Sequence, residues 1–198
     1  MIEEAVAAIR SGRLAIVPTD TVYGLAASPY REESARRLYR AKGRDVLQPT
    51  AIVAADLDLL FECVPELRGR SGTLARALFP GPYTLVLPNP AQRYRWLTGS
   101  RPEAIGVRVP RLAGQARELL ERVGAYVATS ANLPGGPDPA TLDEVPAVLQ
   151  AAAHAVVDGG PLPGLPSTVI DFTGAEPSVL REGAVSAADA LRVAAVVL

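Results

Sequence analysis

Three groups of small hydrogen-bonding side chains stand out in a chain that is 48% apolar. They are Thr19-Asp20-Thr21 with Tyr23, Thr129-Ser130-Ala131-Asn132, and Ser167-Thr168. Each adjoins an apolar run that reads as a strand, and ligands of α/β proteins bind at strand ends. Taken singly, each also fits an ordinary turn in which Thr, Asp and Ser bond nearby backbone. Between them lie isolated cations: Lys42-Gly43-Arg44, Arg108 and Arg181. Nineteen of the twenty basic residues are arginine, and Lys42 is the single lysine. A position that keeps lysine against that background calls for a compact ammonium rather than a planar fork. Lys42-Gly43-Arg44 sets two cations on one tight turn, a geometry suited to phosphate, although it lacks the spacing of a Walker A loop. Arg108 interrupts the apolar run Ile105–Pro110. It must either pair with an internal carboxylate or face a cleft where an anionic ligand completes it, and the cleft is the expectation.

Cys63 is the only cysteine and His154 the only histidine. An internal disulfide and a Cys/His zinc site are thereby excluded, and both residues are expected to pack rather than react.

The elements that must carry these groups follow from periodicity and punctuation. Residues 1–10 read as an amphipathic helix, Leu14–Val17 as a buried strand, and Glu32–Ala41 as a helix. Thr50–Ala54 reads as a strand, Leu57–Phe61 as a short helix, and Glu66–Leu78 as a helix interrupted by Gly69 and Gly72. Phe79-Pro80-Gly81-Pro82 stops that helix before the strand Tyr83–Leu87. The stretch Pro88–Pro102 reads as a loop whose Arg93, Tyr94, Arg95, Trp96 and Arg101 cover core. A helix Ala113–Val123 and a strand Ala125–Ala128 precede the Ser130 cluster. Thr141-Leu142-Asp143-Glu144 has capping-box spacing, predicting a helix to Ala152. Ala155–Asp158 and Val169–Phe172 read as strands. Between these last two, Gly159–Pro166 is dense in glycine and proline and is predicted to be a lid. A helix capped by Ser186 ends the chain.

With 198 residues and a net charge of −1, one domain is expected over 1–198, and a uniformly basic nucleic-acid binder is disfavoured. No apolar run approaches membrane-spanning length, so a cytoplasmic protein without membrane contact is expected.

Pro18–Leu25, Lys42-x-Arg44, Pro80-Gly81-Pro82-x-Thr84-Leu85-Val86, Val107–Pro110, Ser130-Ala131-Asn132, Ser167-Thr168-Val169 and Leu180-Arg181-x-Gly183 occur in the order found in one family. The sequence resembles the YrdC-like threonylcarbamoyl-AMP synthases over roughly Ile9–Gly183, in their short, single-domain form without the carboxy-terminal domain of longer relatives. The resemblance implies an α/β (α+β type) fold: one open, twisted, mixed sheet flanked by helices. It implies synthesis of L-threonylcarbamoyladenylate and pyrophosphate from L-threonine, bicarbonate or CO2, and ATP with Mg2+, feeding threonylcarbamoyladenosine modification of tRNA. It places Thr19, Arg108 and Ser167 on threonine. It places Lys42, Arg44, Ser130, Asn132 and Arg181 on the nucleotide, with Lys42 and Arg44 as the catalytic cations and no protein-held metal. Partners beyond the substrates would be tRNA and the proteins of the transfer step. Asp45, Thr50 and Pro134 depart from the family pattern, and Asp45 could pair with Arg44 or help to hold the metal. The competing expectations are a non-catalytic RNA-binding module and a regulatory protein using the same concave face.

Overall fold

The structure, a computed structural model, describes residues 1–197. In chain order the elements are α1 (Ile2–Arg10), β1 (Ala15–Val17), β2 (Gly24–Ala27), α2 (Glu32–Lys42), β3 (Ala51–Ala54), α3 (Leu57–Cys63), α4 (Gly69–Leu78), β4 (Tyr83–Pro88), β5 (Ala104–Arg108), α5 (Gly114–Val123), β6 (Ala125–Ser130), α6 (Ala147–Ala152), β7 (Ala155–Val156), β8 (Thr168–Asp171), β9 (Ser178–Arg181) and α7 (Ala187–Val197). The strands form a single mixed sheet in the order β7-β1-β2-β6-β3-β5-β4-β8-β9. The pairs β1/β7, β3/β5 and β4/β8 are parallel and the others antiparallel.

Side chains alternate across the sheet, so each strand contributes to both faces. Leu25, Ile52, Leu85, Leu87, Ile105, Val107, Val127 and Ile170 point to one face. There they pack against Leu38 and Tyr39 of α2, Leu60 of α3, Leu74 and Leu78 of α4, Leu149 of α6 and Ala190 of α7 in the main core. Each fully buried leucine contributes about 2 kcal/mol of transfer free energy. On the opposite face, Val6 and Ile9 of α1 and Leu119 and Leu120 of α5 cover Ala15, Val17, Ala26, Val53 and Tyr126. Among the described residues the strands β5, β4 and β8 receive no such helical cover there, and their outward residues Gly106, Arg108, Thr84, Val86 and Val169 line a cavity. The bare half-face positions the site.

Local chemistry sets the ends of the helices. The Asp56 carboxylate accepts from Leu59 N at 2.8 Å and caps α3, and Ser186 Oγ accepts from Ala188 N at 3.2 Å ahead of α7. Gly43, at φ 66°, ends α2 in the left-handed region that a residue with a Cβ enters only at a cost.

Three expectations need correction. The predicted helix over Glu66–Leu78 begins only at Gly69, because residues 64–68 make tight turns, with Leu67 N bonded to Val64 O and Arg68 N to Glu66 O. The capping box at Thr141 opens a 3-10 turn, Leu142–Glu144, and α6 starts separately at Ala147. Pro146 is the reason: it disfavours helical geometry at Val145, which sits at ψ 125°. Glu144 Oε2 instead accepts from Ala140 N at 2.7 Å. The predicted strand Ala155–Asp158 pairs only at Ala155 and Val156. The loop reading of Pro88–Pro102 holds apart from a 3-10 turn at Arg95–Leu97. Trp96 Nε1 donates to Pro29 O at 3.0 Å and Tyr94 OH to Cys63 O at 3.1 Å while both rings lie against the core.

Candidate active site

The cavity has a volume of about 480 Å3, and its floor is the outward face of β3, β4, β5, β6 and β8. Small residues keep that floor low. A Cβ at Gly106 would meet the Ala51 Cβ at 3.3 Å. Of the predicted site residues, Thr19, Arg44, Arg108, Ser130, Ser167 and Arg181 line this one cavity, whereas Lys42 and Asn132 lie behind its wall.

Thr19 sits in the turn joining β1 to β2. Its Oγ1 accepts from Thr21 N at 3.1 Å and Val22 N at 3.2 Å, and its hydroxyl donates to Val22 O at 2.7 Å. The proton between Thr19 Oγ1 and Thr21 Oγ1, 3.0 Å apart, therefore comes from Thr21. Thr21 Oγ1 in turn accepts from Arg108 Nη2 at 3.0 Å. The same Nη2 donates to Asp20 Oδ1, and Asp20 Oδ2 accepts from Arg111 N at 3.0 Å. Arg108 thus does both things that the sequence allows. It pairs with an internal carboxylate, at 11% and 9% side-chain exposure for the two partners, and it lines the cavity. Its Nε is buried with no hydrogen-bond partner among the described residues.

Lys42 and Arg44 flank the left-handed Gly43, which turns both toward the C-terminal end of β6. Lys42 is 4% exposed. Its ammonium donates to Ser130 O, to Ser130 Oγ at 3.2 Å and to Asn132 Oδ1 at 2.7 Å, so its three protons are all engaged. Burial, followed by the Arg44 cation, lowers its pKa to about 8, while Asp138 acts in the opposite sense. Ser130 Oγ donates to Asn132 Oδ1 at 2.7 Å and Asn132 Nδ2 to Gly136 O at 2.7 Å, which closes the loop after β6. Arg44 Nη1 donates to Thr129 Oγ1 at 3.2 Å and Nη2 to Pro49 O at 2.7 Å. Its Nε, like that of Arg108, is buried without a partner among the described residues. Asp45 neither pairs with Arg44 nor enters the cavity; its Oδ1 accepts from Leu47 N at 2.8 Å.

At the opposite side, Arg181 Nε donates to Ser167 O at 2.9 Å and Nη2 to Ser167 Oγ at 3.1 Å. Ser167 Oγ also lies 2.8 Å from Thr84 Oγ1. Gly183 makes this approach possible, since a Cβ there would collide with the Pro166 carbonyl oxygen and the Ser167 backbone.

Thr84 and Arg101 also line the cavity and were not among the expected site residues. Thr84 lies within a recognised motif but in a strand with no polar cluster to mark it. Arg101, in the loop before β5, donates to Asp171 Oδ2 at 2.7 Å and Thr173 Oγ1 at 2.8 Å; in sequence nothing separates it from Arg93 and Arg95. The predicted lid, Gly159–Pro166, is tied along its length. Gly159 N donates to Tyr23 OH at 2.9 Å, Leu162 N to Ala140 O at 2.8 Å, and Gly164 N to Thr21 O at 2.9 Å. Only Pro166 of the segment lines the cavity, so here it is an anchored loop.

The hydroxyl beside the single lysine, Ser130 Oγ, accepts from Lys42 Nζ at 3.2 Å and commits its own proton to Asn132 Oδ1. The arrangement can bind anions, orient them and stabilise developing negative charge with arginine guanidiniums and hydroxyls. Among the described residues no helix is long and apolar enough to cross a membrane.

Comparison with known proteins gives a consistent picture. A family model named for Sua5, YciO and YrdC, with the description "Telomere recombination", matches residues 7–183. A threonylcarbamoyl-AMP synthase of Pyrococcus abyssi is 37% identical over 88% of this chain and 52% of that protein. A putative threonylcarbamoyl-AMP synthase of Mycobacterium tuberculosis is 34% identical over 93% of this chain and 85% of that protein. The chain therefore spans about half the length of the archaeal relative and most of the mycobacterial one. A crystal structure of P. abyssi Sua5 complexed with L-threonine superposes with a TM-score of 0.86 at 34% identity, covering 97% of this chain and 56% of that one. By its sequence, its mixed nine-stranded sheet and the extent of these matches, the chain belongs to the Sua5/YciO/YrdC family.

Proposed function

We propose that the chain is a threonylcarbamoyl-AMP synthase, converting L-threonine, bicarbonate or CO2, and ATP into L-threonylcarbamoyladenylate and pyrophosphate. The observation that carries this reading is the cavity itself. It holds an arginine compensated by a carboxylate, Arg108 with Asp20, and two arginines, Arg44 and Arg181, with no ion-pair partner among the described residues. The first suits the carboxylate of an amino acid, and the others suit a polyphosphate. The relatives' names and the threonine complex of a neighbour support threonine and ATP as the two substrates.

In this reading Arg108, Thr19 and Ser167 hold threonine. Arg44, Arg181 and Ser130 hold the nucleotide, with Lys42 and Asn132 shaping the wall behind. The neutral threonine nitrogen attacks CO2, losing one proton to give a carbamate. A carbamate oxygen then attacks the α-phosphorus as the bond to the β-phosphate oxygen breaks, and pyrophosphate leaves with the electron pair. The protein supplies alignment and cations for the charge that builds on the phosphates.

Mg2+ enters as part of the nucleotide substrate. It keeps several waters and needs only one or two carboxylates beside the phosphate oxygens. Asp138 raises the proton affinity of both Lys42 and Arg181 but does not line the cavity. The product would pass to proteins that transfer it to tRNA, and a cytoplasmic setting follows from that substrate. Incubation with labelled ATP, L-threonine, bicarbonate and Mg2+ tests the proposal, the expected result being a threonine-dependent AMP adduct with stoichiometric pyrophosphate. RNA binding that weakens steeply with salt, without adduct, would favour the RNA-binding reading instead.

A further inference from the structure

We propose that Asp20 is a specificity-determining and positioning residue: by holding and neutralising Arg108, it makes that end of the cavity accept an amino acid and reject phosphate. The proposal rests on the reading of Arg108 as the carboxylate-binding group and deepens it.

The geometry points to Asp20 in three ways. It contacts Arg108 through Oδ1 and the Arg111 backbone N–H, at 3.0 Å, through Oδ2, so it ties the turn after β1 to the end of β5. The hydroxyl of Thr21 receives the same Nη2 at 3.0 Å and passes its own proton to Thr19. Nη2 is thereby saturated by acceptors and Nε is buried, which leaves Nη1 as the part of the guanidinium open to a ligand. Asp20 thus fixes which part of the guanidinium stays available. The third point is charge. Arg44 and Arg181 carry their charge into the same cavity without a carboxylate partner among the described residues, whereas Arg108 and Asp20 sum to zero. A phosphate beside Arg108 would lie against the Asp20 carboxylate as well, and like charges at that range repel strongly. Threonine meets less of this penalty, because its carboxylate carries one negative charge where phosphate carries up to two, and its ammonium, until it gives up a proton for reaction, is attracted by Asp20.

Isothermal calorimetry of L-threonine, with and without inorganic phosphate, tests the idea. For the unaltered protein, phosphate leaves the threonine Kd unchanged and weakens ATP binding. For Asp20→Asn, which keeps the side-chain shape but removes the charge, the threonine Kd rises about tenfold. Phosphate then raises it further by direct competition, a gain that mere loss of structure does not produce. Adding Arg108→Gln to Asp20→Asn abolishes the competition. Three results overturn the proposal: phosphate competing with threonine in the unaltered protein, an unchanged threonine Kd in Asp20→Asn, or equal weakening of threonine and ATP in that variant. The first needs no variant, so a failure of Asp20→Asn to fold leaves the proposal testable. Absence of any threonine binding by the unaltered protein overturns the amino-acid reading of the cavity, and with it this role for Asp20.

Discussion

Arg108 and Arg181 line one cavity, yet they are held in opposite ways. Arg108 is nearly buried and locked to a carboxylate. Arg181 is exposed at the cavity's edge and donates to the backbone oxygen and hydroxyl of a buried serine. One charge is cancelled within the protein and the other has no carboxylate partner among the described residues. The difference teaches that a count of cations does not describe this site; what matters is which of them the fold has already satisfied.

The most demanding way to break that comparison is to remove each arginine in turn. Arg108→Leu leaves Asp20 charged and largely buried without its partner, which should lower stability by about 3 kcal/mol. Denaturant unfolding reads this loss, and adding Asp20→Asn should recover most of it. Arg181→Leu orphans no carboxylate and should cost less than about 1 kcal/mol. Equal losses in the two variants would erase the distinction. A smaller effect sharpens the nucleotide end. Lys42→Arg keeps the charge but cannot fit three acceptors around one buried nitrogen, so kcat/KM for ATP should fall by about 2 kcal/mol, on the order of thirtyfold. The threonine Kd should stay within about twofold, and near-native turnover would show that compactness is irrelevant at this position.

The lysine also gives a pH signature. Burial and Arg44 set its pKa at about 8 against an ordinary 10.5. As pH rises through about 8 the proposed nucleotide end loses a cation, so kcat/KM for ATP should fall by up to about tenfold per pH unit. A profile unchanged by substitution of Lys42 would assign that limb elsewhere. The effect on stability runs the other way. Between about 8 and 10.5 the unfolded chain holds a proton that the folded one has released, so this group adds stability as pH rises. The smallest expected effect belongs to Ser167, which touches Arg181 and Thr84 together. Ser167→Ala should weaken threonine and ATP by about 1 kcal/mol each, and loss confined to one substrate would assign the serine to one end alone.

Much of the fold could be read from the sequence where periodicity was strong. The strand around Leu14–Val17, helix α2 and the arginine inside β5 were all legible. Strand β2 was not, because Gly24-Leu25-Ala26-Ala27 is buried on both faces and so shows no alternation, and its first residues overlap a cluster that reads as a turn. The expected lid shows a different limit. Glycine and proline report backbone freedom, but the donors that pin Gly159, Leu162 and Gly164 reach Tyr23 OH, Ala140 O and Thr21 O from elements distant in sequence. The site shows the same limit. Residue types at strand ends announced Thr19, Ser130 and Ser167, while Arg101 became distinguishable only when folding brought Asp171 to it.

The sheet face over β5, β4 and β8 has a further consequence. Where helices cover the other half, substrates here would take the place of a missing layer, and the folded state would then be the only form that binds them. Stability becomes a function of ligand supply: at a free concentration a hundred times Kd, linkage adds about 2.7 kcal/mol. The protein would accordingly melt at its lowest temperature when starved of threonine and ATP, and rise in steps as each is supplied. In a cell, under the proposed function, its lifetime against proteolysis would track the availability of threonine and ATP.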